Sequence, residues 1–394
     1  MKKKTIRDIP KLSGKTVFVR VDFNVSLNNG EIANDARIKE VLPTIKYLIE
    51  KGAKVILASH LGRPKGKFDP KYSMRPVAEW TEKLLGTKVT LLEKYWEPQA
   101  LIEIEKAKEN SVIMLDNIRF HKGEETNDIR FGKHLAKMAD VYVNDAFGSS
   151  HRAHASIVGI SQFLPPYAGF LLDKEITMIS KAIENPEKPM VVVIGGAKTP
   201  EKIRAIEKLI DIGDTVLLGG AIANTFLAAW GFGMGRSIVD HEMVEMARVL
   251  FWKTAQKHTA LILPLDVIVS DSERIKKPKI LPYNEVSNDA VIYDIGPETC
   301  KKYKEVMREA KTIIWNGPMG LFEDPRFANG TECILKTMAE CKNATTIIGG
   351  GDTLTSIKNA NYLKNLSHVS TGGGAMLEFL EKGTLPGIEV LQDA

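Results

Sequence analysis

The stretch that decides the fold runs from TVFVRV (16–21) through the helical pattern of 38–50 to KVILAS (54–59). A short β-branched apolar run, apolar residues recurring at three- and four-residue spacing, and a second short run make a βαβ unit, and so a parallel sheet. The same rhythm continues outward with SVIMLD (111–116), VYVND (141–145), VVVIGG (191–196), TVLLGG (215–220), LILPLD (261–266), TIIWNG (312–317), TTIIGG (345–350) and SHVST (367–371). Further helical patterns fall at 76–85, 202–210 and 223–230. No period of about 20 to 50 residues recurs, which excludes a solenoid.

A length of 394 residues suits two or three domains. The break at Pro165 and Pro166, the helical run 168–183 and the Pro186/Pro189 loop read as a helix joining two lobes. The expected boundaries are 1–168 for the first lobe, 169–185 for the joining helix and 186–379 for the second. With 44% hydrophobic and 26% charged residues the chain can fill a core in each. There is no uncharged apolar stretch of about 18 residues and no apolar region behind the lysines of MKKKT, so a cytoplasmic protein without membrane contact is expected. Cys300, Cys333 and Cys341 form no CxxC, which disfavours zinc and redox chemistry. A net charge of +5 without a basic tract gives no support to nucleic-acid binding. Eight of the 14 arginines lie in the first 160 residues, so a multiply anionic ligand belongs to the first half.

Ligands of open α/β sheets sit beyond the carboxyl ends of the strands. In the first half those ends carry Asp22 and Asn24, the segment 59–63 with His60 and Arg63, then Asn117 and Arg119, and 144–152 with Arg152, while Arg37 arrives at the start of the first helix. Guanidinium groups for phosphate and carboxylate, with Asp and Asn for hydroxyls, suit a phosphorylated hydroxy acid. His60, His121, His151 and His154 show no HxxxH or Cys/His spacing, which argues against a metal cluster. In the second half the ends are glycine turns: 195–196, 219–220, 317–320, 349–351 and 372–374. One such pair is an ordinary tight turn, but five in one lobe imply backbone N–H groups approaching nucleotide phosphates. GGAKTPEK fails the P-loop spacing and GFGMGRS (231–237) fails the dinucleotide one. Asp352 heads a glycine turn, where a carboxylate can reach a phosphate-bound Mg²⁺ or cap a helix.

RVDFNV (20–25), SHLGRPKG (59–66), RFHKGEE (119–125), DAFGSSHRAHAS (145–156), GGAK (195–198), WNGPMGLFE (315–323), GGGDT (349–353) and STGGGAMLEFL (370–380) together resemble, in order and end to end, the phosphoglycerate kinase family. The resemblance implies two doubly wound, Rossmann-like α/β lobes joined by a helix, with 380–394 returning to the first lobe. By the same resemblance Asp22, Phe23, Asn24, Arg37, His60, Leu61, Gly62, Arg63, Arg119 and Arg152 contact phosphoglycerate. Lys202, Gly350, Gly351, Asp352 and Thr353 meet the nucleotide phosphates and Mg²⁺, Glu323 the ribose, and Gly196, Gly219, Gly220, Asn316 and Pro318 the nucleoside pocket. Lys198, Gly373 and Gly374, with Arg37, meet the phosphoryl group in transit. Ser26, Ala221, Ile292 and the triplet 199–201 depart from the family pattern, and Ala221 and Ile292 leave base preference open.

The implied reaction moves the acyl phosphate of 1,3-bisphosphoglycerate to MgADP, giving 3-phosphoglycerate and MgATP. Either attacking oxygen is already anionic, so no general base is needed; the site must align two polyanions and neutralise the moving charge. Substrates on separate lobes further imply hinge closure, and a monomer is expected. A nucleotide-dependent transferase of another kind would lack the arginine set. A non-catalytic relative would be free to lose Arg37, Lys198 or Asp352.

Overall fold

The computed structural model describes every residue except Asn29, Lys198 and Lys358, and Thr199 by its backbone alone; the expectation for Lys198 lies outside the described residues. Contacts divide the chain into two units, Met1–Thr177 with Thr384–Ala394, and Met178–Gly383.

The first unit is built on parallel strands β1 (Thr16–Val21), β2 (Lys54–Ala58), β3 (Val89–Leu92), β4 (Val112–Leu115), β5 (Val141–Asp145) and β6 (Pro166–Ala168), in the order β3-β4-β2-β1-β5-β6. Strand β1 is buried on both faces, as a central parallel strand must be. Val17, Val19 and Val21 enter one core with Val55 and Val143; Phe18 enters the other with Ile56 and Tyr142. Helices α1 (Ala36–Glu50), α2 (Arg75–Leu85), α3 (Pro98–Lys106) and α4 (Ile129–Ala136) follow successive strands. Each stops or starts on local chemistry: α2 ends at Gly86 in the left-handed region, and Asp128 caps α4 by accepting from the Arg130 and Phe131 N–H groups. The sequence of strands reverses direction between β1 and β5, which makes their carboxyl ends the crevice of this sheet. The last residues pack here too: Asn144 Nδ2 donates to Gly387 O at 2.9 Å, and Lys4 N to Gln392 O at 2.8 Å.

Helix α5 (Phe170–Glu184) carries the chain into the second unit. There β7 (Met190–Ile194), α6 (Thr199–Ile210), β8 (Thr215–Leu218), α7 (Gly220–Ala229), α8 (Val244–Lys257) and β9 (Ala260–Ile262) begin a second parallel sheet. The run read as one strand at 261–266 is cut at Ile262, before Pro264, which can donate nothing to a ladder. A separate antiparallel sheet of β10 (Asp266–Ser270), β11 (Lys279–Pro282) and β12 (Val291–Ile295) follows, with β10 in the middle. The chain then returns through α9 (Pro297–Arg308) to β13 (Thr312–Asn316), α10 (Asn329–Glu340), β14 (Thr345–Gly349), α11 (Gly351–Thr355), β15 (His368–Val369) and α12 (Gly374–Lys382). The parallel sheet has the order β9-β8-β7-β13-β14-β15. Both units are thus doubly wound parallel sheets, as the sequence implies. Among the described residues no helix is long and apolar enough to cross a membrane.

Candidate active site

At the crevice of the first sheet, Asp22 leaves β1 with its carboxylate 3.3 Å from Arg37 Nη1, which also donates to Asn24 O at 3.2 Å. The Asn24 side chain accepts from Gly62 N at 2.9 Å, fastening the turn after β1 to the turn after β2. Phe23 is buried and its N–H donates to Ser59 Oγ at 2.9 Å. Leu61 O accepts from Asn117 Nδ2 at 2.6 Å, and Gly62 O from Arg119 Nη1 at 2.9 Å. Gly62 has φ +60°, and a Cβ there would run into the Tyr72 ring, so glycine is required on both counts. Residues 59–63 are therefore held by three side chains, Asn24, Asn117 and Arg119, from the two neighbouring strand ends.

Cations dominate this crevice. Arg119 is 3% exposed and lies 3.4 Å from Glu125 Oε1; burial, then Arg152, press its guanidinium down to about 10 against the pull of Glu125. His60 is held well below its ordinary value, first by burial and then by Arg20, Arg119 and Arg152, against the opposing Asp22. Arg20, fully buried in β1, is likewise lowered by burial and repelled by Arg152. Burial works against the Asp22 charge, but Arg37 first and then Arg20 outweigh it and hold that carboxyl at about 2. Arg152 donates to His151 Nε2 at 3.1 Å, and Arg63 is exposed with no ion-pair partner among the described residues. Arg20, Arg37, Arg119 and Arg152 thus outnumber the carboxylates of Asp22, Glu124 and Glu125 that face them, which favours a multiply charged anion.

The second unit forms a cleft of about 280 Å³ beyond the ends of β7, β8 and β13. Gly196, Gly220, Pro318, Glu323 and Asp352 line it, together with Ala221 and Ile292. The backbones here pack on one another: Gly220 N donates to Met319 O at 2.9 Å, and a Cβ on Gly220 would lie 2.6 Å from Gly196 N. Cβ atoms on Gly195 and Gly219 would strike Pro318 O and Met319, so those glycines serve packing as well. Lys202 is buried with its ammonium donating to Gly195 O. Asn316 is buried and its Nδ2 has no hydrogen-bond partner among the described residues. Thr353 is buried too: its hydroxyl accepts from Gly317 N at 2.7 Å and donates to Gly349 O at 3.0 Å, tying two glycine turns together.

Gly351 and Gly374 differ from these. A Cβ on either meets nothing within 4 Å and neither has positive φ, so packing does not require glycine there. Gly350 and Gly373 do have positive φ, and a Cβ on Gly373 would lie 3.6 Å from Gly351 N, which sets the two turns side by side at the starts of α11 and α12. Asp352 is exposed at the head of α11. Its free carboxylate fits a Mg²⁺ already carried by nucleotide phosphates, an ion that takes one or two protein carboxylates and keeps the remaining positions for phosphate and water.

Sequence reading missed the walls of this cleft, which come largely from the antiparallel sheet through Val267, Val291, Tyr293 and Asp294, with Asn224 from α7. Asp294 is buried, its carboxyl pushed up to about 7 by that burial although Gly330 N and Ile295 N donate to it at 2.8 and 2.9 Å. Arg20, Glu124 and Ser156, beneath the first crevice, were missed as well. A charged residue inside an apolar run, as in TVFVRV and VIYDI, is the signal that could have found Arg20 and Asp294.

An arginine-rich crevice on one doubly wound unit and a glycine-lined cleft on another are the features of a two-lobed α/β phosphotransferase. A family model for phosphoglycerate kinase matches residues 6–383. Curated phosphoglycerate kinases from Pelotomaculum thermopropionicum and Dictyoglomus turgidum are 45% and 48% identical over 394 and 396 residues, covering 100% of both chains in each case. The solved phosphoglycerate kinases of Coxiella burnetii and Pyrococcus horikoshii superpose with TM-scores of 0.87 and 0.83 at 39% and 34% identity, each covering 98% of both chains. The chain belongs to the phosphoglycerate kinase family.

Proposed function

We propose that the first crevice holds 3-phosphoglycerate or 1,3-bisphosphoglycerate, that the second cleft holds MgADP or MgATP, and that the two units divide the family's reaction between them in this way. That reaction is the reversible transfer of the acyl phosphate of 1,3-bisphosphoglycerate to ADP, giving 3-phosphoglycerate and ATP. The observation that carries the assignment is the surplus of arginines over the carboxylates of Asp22, Glu124 and Glu125 around this crevice. Arg63, Arg119 and Arg152 bind the phosphate and carboxylate of the acid; Asp22 and Asn24 accept from its hydroxyl; Phe23, His60, Leu61 and Gly62 shape the pocket.

Lys202, Gly350, Gly351, Asp352 and Thr353 form the phosphate end of the nucleotide site. Gly196, Gly219, Gly220, Asn316, Pro318 and Glu323 form its nucleoside end. Asp352 would hold the Mg²⁺ that accompanies the nucleotide, and the ion would supply neutralisation of phosphate charge there. Arg37, partly exposed beside Asp22, and the N–H groups of Gly373 and Gly374 donate to the phosphoryl oxygens in transit, where charge develops. Lys198 belongs to the same role by its place in the family motif. No residue need abstract a proton, because the carboxylate and the diphosphate are nucleophiles as they stand.

The domain limits proposed for this division are 1–168 with 380–394, the helix at 169–185, and 186–379. The same reading makes the protein a cytoplasmic monomer acting on small metabolites; light scattering and cell fractionation test it. For the reaction itself, a coupled assay with 3-phosphoglycerate and MgATP should show turnover that other phosphorylated acids do not support. No turnover by folded protein would refute the assignment.

A further inference from the structure

Arg20 lies on β1 under the first crevice, fully buried, and every one of its contacts is with protein. A guanidinium has donors and no acceptor, so the direction of each bond it makes is fixed. Glu124, itself fully buried, accepts from Ser156 N at 2.9 Å and from Ser156 Oγ at 2.6 Å. That uses the only hydroxyl proton of Ser156, so its oxygen accepts from Arg20 Nε, 2.9 Å away. Arg20 Nη1 donates to Val21 O, and Nη2 stands 3.3 Å from His60 Nδ1.

A donor-only group aimed at Nδ1 requires a lone pair there. The neutral ring then carries its single proton on Nε2, and a second proton would set N–H against N–H. The other charged groups around the ring act in the same direction: Asp22 alone favours the imidazolium, while Arg119 and Arg152 join Arg20 in opposing it. Among the described residues the ring makes no other hydrogen bond, which leaves Nε2–H as an open donor on the edge away from Arg20.

We propose that Arg20 is a positioning residue which, braced by Glu124 through Ser156, locks His60 as the neutral Nε2–H tautomer and so presents a fixed hydrogen-bond donor to an anionic oxygen of the phosphorylated acid. The proposal rests on the reading of this crevice as the phosphoglycerate site. Its functional consequence is that substrate affinity does not follow the charge of a histidine through neutral pH.

The test is ¹⁵N-histidine NMR of the whole protein. His60 should show an unprotonated Nδ1 and a protonated Nε2, unchanged from about pH 5 to 8. In Arg20→Lys, which keeps the charge but loses the fork, His60 should titrate inside that window, and KM for 3-phosphoglycerate should become pH-dependent while kcat holds. Should Arg20→Lys not fold, two other changes carry the test. Ser156→Ala removes only the brace and should bring a mixture of tautomers. His60→Gln places an N–H near the Nε2 position and should keep KM within about threefold, whereas His60→Asn mimics the Nδ1 side and should raise it about tenfold or more, the worth of one hydrogen bond to a charged oxygen. A wild-type His60 protonated on Nδ1 or titrating near its ordinary value overturns the lock, and equal defects in the Gln and Asn variants overturn the donor role. A locked ring that 3-phosphoglycerate does not shift overturns the substrate reading instead.

Discussion

Asp22→Asn separates the two jobs that the crevice gives to this carboxylate. The amide has the shape of the protonated acid, so the variant is Asp22 with its charge removed. In the folded chain that carboxyl falls from 3.8 to about 2, and at about 1.36 kcal/mol per pH unit the native state gains about 2 kcal/mol from the ionised form. Because the folded value lies below the unfolded one, this stability is fully present above about pH 4 and is lost as pH falls towards 2. Urea unfolding should therefore show the variant about 2 kcal/mol weaker at neutral pH, with the gap closing through that acid window.

Binding should respond in the opposite sense for a simple anion. One negative charge about 8 Å from a bound phosphate at an effective dielectric of about 20 repels it by about 2 kcal/mol, which salt reduces. Inorganic phosphate should bind Asp22→Asn several-fold more tightly. For 3-phosphoglycerate the same relief competes with loss of a charged acceptor for the hydroxyl, worth about 1.5–3 kcal/mol, so its affinity should stay level or fall. Isothermal titration with both ligands reads the ratio, which should move about tenfold against 3-phosphoglycerate. Equal weakening of both would mean that Asp22 merely braces the turn, and that the cation surplus is not what binds the anion.

Other outcomes follow from single contacts. Thr353→Val leaves the buried Gly317 N–H without its acceptor, so it should cost about 1–3 kcal/mol in urea unfolding and raise KM for the nucleotide, with Thr353→Ser close to wild type; a silent Val variant would mean that the two turns are not tied there. Arg119→Ala should chiefly raise KM for 3-phosphoglycerate, whereas Arg37→Ala should lower kcat by more than it raises KM, and identical KM-only defects would refute the division of roles. Chelation of Mg²⁺ should abolish turnover with circular dichroism unchanged, since the ion is expected to arrive with the nucleotide; unfolding on chelation would point to a structural ion. In small-angle scattering the radius of gyration should fall most with both substrates bound, because each contacts mainly one unit and has limited preference for a closed state; a radius equal in all ligand states would refute closure.

What the sequence made legible follows the physics of parallel sheets. Central strands buried on both faces are predominantly apolar, so 16–21, 54–59, 141–145 and 191–194 stand out, and the polar residues at and just past their ends stand out by contrast. The antiparallel sheet at 266–295 escaped because the apolar residues of β10, 267–269, directly follow the run read at 261–266, β11 carries lysine and proline at exposed positions, and β12 is only partly buried and broken by Asp294. The wall it gives to the nucleotide cleft escaped with it, apart from Ile292, noticed as a departure from the family pattern and now found lining that wall beside Ala221.

The glycine turns show why a motif count alone could not assign roles. Five turns look alike in the sequence, yet the structure sorts their residues by what a side chain would meet. At Gly195, Gly219 and Gly220 it would meet the chain's own backbone or Met319, so these glycines would be needed even in a protein that bound nothing. At Gly351 and Gly374 it would meet open space with φ in the ordinary range, so folding alone gives no reason for glycine. The reason left is the approach of a ligand to the backbone. Gly351→Ala and Gly374→Ala should accordingly leave stability unchanged or slightly raised, since alanine lowers the entropy of the unfolded chain, while weakening nucleotide binding or turnover. Gly220→Ala, at φ +60° and against Gly196, should destabilise the second unit whether or not nucleotide is present. If Gly351→Ala and Gly374→Ala lost stability and kept full activity, the open space beside them would not be where the phosphates lie.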